Sequence, residues 1–216
     1  AGALPPAKAR DNANIITLPD GQASITNMYF WQPLAGSFYA PCVDGDYDMS
    51  VIGHEYGHMI ENRMTGKGNV RAGHHAGAMG ESGGDQFGVE YQFSNGFVPT
   101  SDESEAAAGP YDTGNKLRGI RNFALDRPTS GDVPKPSRQL QTNTLNFSDM
   151  GYDVTGPTAT SSQQVHANGE IWSRINRNVR DLLADKYDGD FPYDDEDLQY
   201  ACANGGLPPY ACPGNR

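Results

Sequence analysis

The chain has 216 residues, of which 37% are hydrophobic, and it contains 26 glycines and 15 prolines. This apolar content is enough for a buried core, but the glycines and prolines predict that turns and loops occupy much of the chain. A formal net charge of -11 argues against binding to nucleic acid or to anionic membranes, because both are negatively charged. No apolar run is long enough to span a membrane.

The first elements predicted along the chain are extended. Residues 12–32 have the composition of strands, broken by the turn-forming sequence Pro19-Asp20-Gly21. Within them, Ser24–Trp31 is the strongest strand prediction. Residues 33–47 are predicted to form a loop.

A metal-binding motif follows at residues 54–58, which read His-Glu-Tyr-Gly-His. Residues four apart lie on one face of a helix, so His54 and His58 can direct both imidazoles at one metal ion. Glu55 lies beside that face, where it can take a proton from a metal-bound water. The motif therefore predicts zinc-assisted hydrolysis.

The surroundings of the motif predict a buried helix over about residues 49–64. Apolar residues flank the motif on both sides, and Asp48 or Ser50 is a suitable N-cap. The alternative is an amphipathic helix with two surface or capping histidines. Two histidines and a carboxylate inside an apolar helix need partners or a metal, which favours the zinc interpretation.

A catalytic zinc site needs a third protein ligand from elsewhere in the chain. A longer motif would place a third histidine at position 64, but that residue is Met64. Glu81 and Asp85 are four apart, on one face of a second predicted helix that ends near Phe93. One of them can bind zinc while the other accepts a hydrogen bond from a zinc-bound imidazole, although two solvated carboxylates are the alternative. The candidates for the third ligand are His74, His75, Glu81, Asp85 and Glu90.

The sequence HEYGH, followed by GAMGESGGD, resembles the fungalysin family of secreted zinc metallopeptidases, which are thermolysin-like gluzincins. The resemblance covers most of the chain, because other segments match in the same order. These are Pro19–Gln22, Met28–Trp31, Asp44–Asp48, Gly119–Arg121 and Val165–Trp172.

The resemblance implies a role for each residue of the motifs. His54, His58 and Glu81 would hold one catalytic zinc ion, and Glu55 would be the base. Asp85 would orient an imidazole, that of His54. The strand Ser24–Trp31 would be the edge on which a peptide substrate pairs.

The resemblance also implies that His166 faces the zinc from a second lobe and stabilises the oxyanion of the tetrahedral intermediate. Taken alone, the sequence favours an ordinary histidine at the start of a long amphipathic helix over about 164–187. Relatives usually carry an acidic residue shortly before this histidine, but residues 160–164 contain none. Its tuning therefore differs from that of the family.

Gly119-Ile120-Arg121 is similar to the family segment that contacts substrate. There Arg121 would bind a substrate carbonyl and Ile120 would line an apolar pocket for the residue after the scissile bond. An ordinary surface arginine is the alternative.

Gly83 and Gly84 depart from the family, which has a bulky residue, often tryptophan, in this interval. Each glycine costs a helix about 1 kcal/mol relative to alanine. The second helix must then be held by packing or by zinc, with a wider or more mobile cleft as one consequence.

The acidic runs Asp44–Asp48 and Asp188–Asp197 are expected to be either solvated surface or calcium sites. Cys202 and Cys212 would close a short loop with a disulfide, as suits a secreted protein, and Cys42 would be left free or partnered outside the chain.

Together these features predict an α+β, thermolysin-like fold. Residues 1–70 would form a β-rich lobe ending in the zinc helix, and residues 71–216 a mainly helical, loop-rich lobe across a cleft. The predicted function is a secreted zinc endopeptidase that prefers hydrophobic residues after the cleaved bond of its peptide or protein substrate.

The alternative is a catalytically weakened, zinc-stabilised binding module. Relatives continue beyond the last residues of this chain. A further alternative is therefore a fragment whose expected partner is the remaining segment of a longer or nicked chain.

Overall fold

A computed structural model describes eight stretches of the chain: residues 10–32, 42–66, 73–94, 107–115, 119–121, 145–150, 165–187 and 195–206. The strands are β1 (Ala13–Ile16), β2 (Ile25–Met28), β3 (Phe30–Trp31) and β4 (Val43–Asp44). The helices are α1 (Met49–Gly66), α2 (His74–Ser94), α3 (Pro110–Thr113), α4 (Val165–Tyr187) and α5 (Glu196–Ala203). Helices with small sheets confirm the predicted α+β class, and likeness to the thermolysin fold stays a prediction.

The strands form two small antiparallel sheets, β1 with β2 and β3 with β4. Ala13 pairs with Met28 and Ile16 with Ile25, so the predicted turn at Pro19–Gly21 closes the first hairpin. The predicted strand Ser24–Trp31 is two strands, because β3 leaves β2 to pair with β4. Its role as the edge for substrate stays a prediction.

Helix α1 begins at a side-chain cap. Asp48 accepts hydrogen bonds from the Ser50 amide (3.1 Å) and the Ser50 hydroxyl (2.6 Å), which satisfies part of the first turn. The other oxygen of Asp48 accepts from the amides of Tyr111 (2.9 Å) and Asp112 (3.1 Å). One buried carboxylate therefore fixes both the start of α1 and the start of α3.

Helices α1 and α2 approach closely because glycines face each other between them. A Cβ on Gly53 would lie 2.7 Å from the Gly88 Cα, and one on Gly57 would lie 3.1 Å from the Gly84 Cα. Real side chains do not tolerate the first of these distances. The close approach lets short carboxylate side chains on α2 reach the imidazoles on α1.

The start of α4 also packs on α2 through small residues. A Cβ on Gly169 would lie 3.0 Å from the Glu81 Cβ, and the Ser173 hydroxyl hydrogen bonds to the Ser82 hydroxyl at 3.1 Å. This contact brings the first turn of α4 to the same end of α2 as Glu81.

The chain divides into two compact units, Ala1–Arg174 and Ile175–Arg216. In the second unit, Asp195 caps α5 by accepting from the Leu198 amide at 2.9 Å. The predicted division at residue 70 is a different one and stays a prediction. No helix in the described stretches is long and apolar enough to cross a membrane.

Some sequence predictions fall outside the described residues. These are residues 33–41 of the loop predicted over 33–47, residues 188–194 of the second acidic run, and Cys212, the predicted partner of Cys202. The Cys202–Cys212 pairing therefore stays a prediction. Cys42 is a free, half-buried thiol.

Candidate metal centre

Three donor side chains converge between α1 and α2. His54 and His58 come from successive turns of α1, and Glu81 comes from α2. The Glu81 Oε2 atom lies 3.3 Å from the His54 Nε2 and 3.7 Å from the His58 Nε2. One ligand atom from each residue lies within 4.8 Å of the other two. Among the described residues, these three make the one group of histidine, cysteine or acidic side chains with this spacing.

The hydrogen bonding of Glu81 indicates that a cation fits between these side chains. Its Oε2 atom is buried and has no hydrogen-bond partner, although three imidazole nitrogens surround it within 3.7 Å. A buried carboxylate oxygen without a partner is costly unless a positive charge satisfies it. Two imidazoles and one carboxylate form a ligand set typical of catalytic zinc.

Asp85 contacts the other nitrogen of the first histidine. Its Oδ1 lies 2.8 Å from the His54 Nδ1, and the Asp85 side chain is 1% exposed. Arg121 donates to both oxygens of this carboxylate, from Nε at 2.7 Å and from Nη2 at 2.8 Å. The three side chains thus form a buried chain from arginine through aspartate to imidazole.

Electrostatics keep this chain charged. Burial opposes the ionised carboxylate, but Arg121 and His54 outweigh it and hold the pKa of Asp85 at about 2. Burial likewise opposes the imidazolium, yet the hydrogen bond with Asp85 and the close carboxylate of Glu81 raise the pKa of His54 to about 9 in the metal-free protein. An ionised Asp85 accepts a hydrogen bond from the Nδ1–H of His54, which leaves Nε2 as the nitrogen that faces Glu81.

Arg121 is held in place by a loop pairing. The Ile120 amide donates to the Ala108 carbonyl at 2.8 Å, and the Gly109 amide donates to the Ser50 hydroxyl at 2.7 Å. These bonds dock the segment Gly119–Arg121 on the start of α1. The structure therefore places Arg121 on Asp85, and its predicted contact with a substrate carbonyl stays a prediction.

Glu55 lines a cavity of about 50 Å³ beside the metal-binding group. The cavity wall also includes His54, Asp85, Arg121 and His166 as polar groups, and Val51, Ala108 and Ile120 as apolar ones. Burial raises the pKa of Glu55, although the neighbouring histidines oppose that shift. A buried carboxylate beside a metal group is well placed to accept a proton.

His166 lies on the first turn of α4, and its Nε2 is 3.2 Å from the Glu81 Oε2. Its side chain is 44% exposed, so it faces the opening of the site more than the three donors do. Burial lowers the pKa of His166, with Glu81 acting in the opposite direction. Its predicted role at the oxyanion stays a prediction, and residues 160–164 lie outside the described stretches.

Comparison with known proteins identifies the family. The model of the fungalysin metallopeptidase family (M36) matches residues 5–200. The chain belongs to the fungalysin family.

Curated relatives of this fungalysin chain are extracellular metalloproteinases of fungi. The chain is 30% identical to extracellular metalloproteinase mep of Aspergillus flavus over 182 residues. It is also 30% identical to extracellular metalloproteinase 2 of Phaeosphaeria nodorum over 180 residues and to that of Trichophyton rubrum over 183. Each match covers 82% of this chain and 24% of the relative, so the chain spans about a quarter of their length.

The other candidate ligands of this fungalysin chain lie elsewhere. His75 stacks on Phe147 with ring centroids 5.6 Å apart, and His74 is its neighbour at the start of α2. Glu90 accepts a hydrogen bond from Gln86 at 2.9 Å.

Sequence reasoning missed two features of the site. The Arg121–Asp85 pair joins residues 36 apart, and no local pattern signals such a contact. The role of Gly84 was also missed: a Cβ there would lie 2.8 Å from the His54 Nδ1 and 3.0 Å from its carbonyl oxygen. Gly84 therefore provides space for the His54 ring and for close helix packing. Its departure from the family pattern was the available signal.

Proposed function

We propose that this chain carries the catalytic centre of an extracellular zinc endopeptidase. The observation that carries the proposal is the convergence of His54, His58 and Glu81 around a buried carboxylate oxygen that has no hydrogen-bond partner. Membership of the fungalysin family and the names of its extracellular relatives support it. Because the chain spans about a quarter of those relatives, the activity, substrates and location of the whole protein remain proposals.

In this proposal His54, His58 and Glu81 hold the zinc ion. Bound zinc would polarise a substrate carbonyl and lower the pKa of a water in its open position to about 7. Glu55 takes a proton from the attacking water onto its carboxylate and then passes it to the leaving amine. Asp85 holds the Nδ1 proton of His54, which keeps that imidazole in the tautomer that binds metal.

Substrate would occupy the cavity beside Glu55. Val51, Ala108 and Ile120 give it an apolar wall, which favours a hydrophobic side chain after the scissile bond. His166 would donate a hydrogen bond to the developing oxyanion. Arg121 would reach a substrate carbonyl while it stays paired with Asp85.

A metal analysis coupled to a peptidase assay tests this function. The purified chain is expected to hold one zinc ion and to hydrolyse casein or a peptide library in a way that a zinc chelator abolishes and added zinc restores. Absence of bound zinc after dialysis against micromolar zinc would refute the assignment.

A second function has one observation in its favour, namely the short coverage of the relatives. A chain of this length that binds zinc but hydrolyses no peptide would be a zinc-stabilised binding module or a part that needs a further segment. Zinc stoichiometry without hydrolysis identifies these cases, and recovery of activity on adding a segment of a relative that lies outside the match separates the second from the first.

Calcium binding near Asp112 is a separate proposal. Asp112 is fully buried, and its two oxygens have no hydrogen-bond partner. Burial and the nearby charges of Asp48 and Asp44 raise the pKa of the Asp112 carboxyl. Asp48, however, already accepts hydrogen bonds from Ser50, Tyr111 and Asp112. A rise in melting temperature with millimolar calcium, lost in Asp112→Asn, would support a calcium site here.

A further inference from the structure

The two zinc-binding histidines of the proposed function have different surroundings. The His54 Nδ1 meets Asp85 at hydrogen-bond distance. The Nε2 of His58 faces Glu81, and with zinc bound at Nε2 the remaining ring proton of His58 would lie on Nδ1. A metal-bound imidazole almost always donates this second N–H to a carboxylate, a carbonyl or water, and that partner affects metal affinity.

Glu61 is the carboxylate beside the second histidine. Its Oε2 lies 4.0 Å from the His58 Nδ1, one turn further along α1. Residues at i and i+3 on a helix are neighbours on its surface, so α1 itself holds the two side chains together. At 4.0 Å the two atoms are beyond hydrogen-bond distance in the metal-free protein, so the Glu61 carboxylate must move closer to His58 to accept this hydrogen bond.

Gly83 on α2 provides the space that Glu61 occupies. A Cβ at Gly83 would overlap the Glu61 Oε1 and lie 2.6 Å from the Glu61 Cδ. All three atoms nearest to that Cβ belong to the end of the Glu61 side chain, which can move. A side chain at position 83 would thus displace the carboxylate without a clash against backbone. This contrasts with Gly84 and Gly88, where a Cβ would meet backbone atoms of α1.

We propose that Glu61 is a positioning residue for His58, seated in the space that Gly83 leaves on α2. Its carboxylate accepts a hydrogen bond from the Nδ1–H of His58, which keeps Nε2 directed at the metal. This rests on the zinc site of the proposed function. It gives the second zinc histidine a carboxylate partner of its own, beside the Asp85 partner of the first.

The expected effect is smaller than for Asp85. The Glu61 side chain is 22% exposed, whereas that of Asp85 is 1% exposed and bound by Arg121. Solvent screens the Glu61 charge, so its removal should weaken zinc binding by roughly threefold to tenfold, at or below the low end of the range for such partners.

The test measures zinc affinity by competition with a chromophoric chelator. Glu61→Gln, Glu61→Ala and Gly83→Ala should each weaken zinc binding by that factor, because the first two remove the charge and the third displaces it. In the double variant Glu61→Ala with Gly83→Ala, the second change should add no further loss, since the displaced group is already absent. Glu90→Gln on α2 is the control and should bind zinc as the unmodified chain does.

A second readout separates positioning from general stability. The Nδ1–H resonance of His58 in long-range proton–nitrogen spectra of the zinc-loaded protein should move in Glu61→Gln and Gly83→Ala, while that of His54 stays in place. Unchanged affinity and an unchanged His58 resonance in both variants would overturn the proposal. Additive losses in the double variant would also overturn it, because Gly83 would then act without Glu61.

The outcomes are distinguishable from failure of the proposed function. If the unmodified chain binds no zinc, the zinc site itself is wrong. If it binds zinc and the Glu61 and Gly83 variants bind equally well, the zinc site stands and only the role of Glu61 is wrong.

Discussion

The chemistry of this molecule centres on a single atom at the residue scale, the Glu81 Oε2. Imidazole nitrogens of His54, His58 and His166 lie 3.2–3.7 Å from it. In the metal-free protein, the raised pKa of His54 lets an imidazolium compensate the buried carboxylate. Zinc would replace that proton, so the same arrangement serves both states.

The first prediction concerns Glu55. Glu55→Gln keeps the size of the side chain but cannot accept a proton, so it should retain one zinc ion and lose activity by roughly 10²- to 10⁴-fold in kcat. Metal analysis and peptide hydrolysis measure the two effects. Glu196→Gln, an exposed change on α5, is the control. A fully active Glu55→Gln variant would exclude Glu55 as the base.

At the scale of elements, the approach of α1 to α2 is the decisive feature. Glycine weakens a helix, by about 1 kcal/mol per residue relative to alanine. Four glycines nevertheless lie between the two helices and allow them to pack closely, because they have no side chains: Gly53, Gly57, Gly84 and Gly88. The short side chains of Glu81 and Asp85 reach the imidazoles only because the helices are this close.

The second prediction tests this packing with Gly84→Ala. The added Cβ would meet the ring and the carbonyl of His54, so the helices must separate or the ring must move. We expect a loss of roughly 1–3 kcal/mol in the free energy of unfolding, as for other overpacked sites, together with weaker zinc binding. Chemical denaturation measures the first effect. Gly83→Ala is the matched control on the same helix, and with zinc chelated it should unfold close to the unmodified chain, because its added Cβ meets only the movable end of Glu61. Equal stability of both variants would contradict this account.

The third prediction concerns the junction of α1 with α3. Burial, Asp48 and Asp44 raise the pKa of Asp112 from 3.8 to about 8. The folded protein therefore keeps this proton while the unfolded chain releases it. Its contribution to the free energy of unfolding should be complete below about pH 4 and be lost as pH rises to about 8.

Asp112→Asn removes this titration. Each unit of pKa displacement corresponds to about 1.4 kcal/mol. As pH rises from acidic to neutral, the free energy of unfolding of the variant should therefore increase by at least about 1 kcal/mol relative to that of the unmodified chain. Denaturation curves at several pH values, with divalent cations chelated, give the comparison. Parallel pH profiles for the two proteins would show that Asp112 ionises normally.

On the scale of the whole molecule, a metal bound between α1 and α2 would join the two longest helices of the unit Ala1–Arg174. A ligand that binds only the folded state stabilises it by mass action, by about 4 kcal/mol at a thousand times its dissociation constant. The family model also matches nearly the whole chain, residues 5–200, whereas the chain matches about a quarter of the relative from Aspergillus flavus.

The fourth prediction follows from that coupling. A zinc chelator should lower the melting temperature, and zinc but not magnesium should restore it, because two imidazoles and a carboxylate suit zinc better than magnesium. Calorimetry with and without chelator measures the shift. Glu55→Gln should respond in the same way, since Glu55 is not a ligand. A melting temperature that ignores the chelator would argue against a metal link between the helices.

Much of the candidate site follows from the sequence alone. Helix periodicity places His54 beside His58 and Glu81 beside Asp85 whatever surrounds them, since residues four apart share a face. The predicted helix over 49–64 is α1, the second helix is α2, and the helix over 164–187 is α4. The strand predicted at Ser24–Trp31 is less well described, because pairing with β4 divides it.

Only the tertiary structure decided how these faces meet. The pairing of Arg121 with Asp85, the reach of His166 to Glu81 and the fit of Gly84 against His54 all depend on the distance between elements. Glycines at the contact set that distance, because they have no side chains to hold the helices apart. The spacing of residues along the sequence does not reveal which glycines will face each other. The sequence by itself determined which candidate residues share a face of each helix, and packing decided that the two faces meet in one candidate metal site.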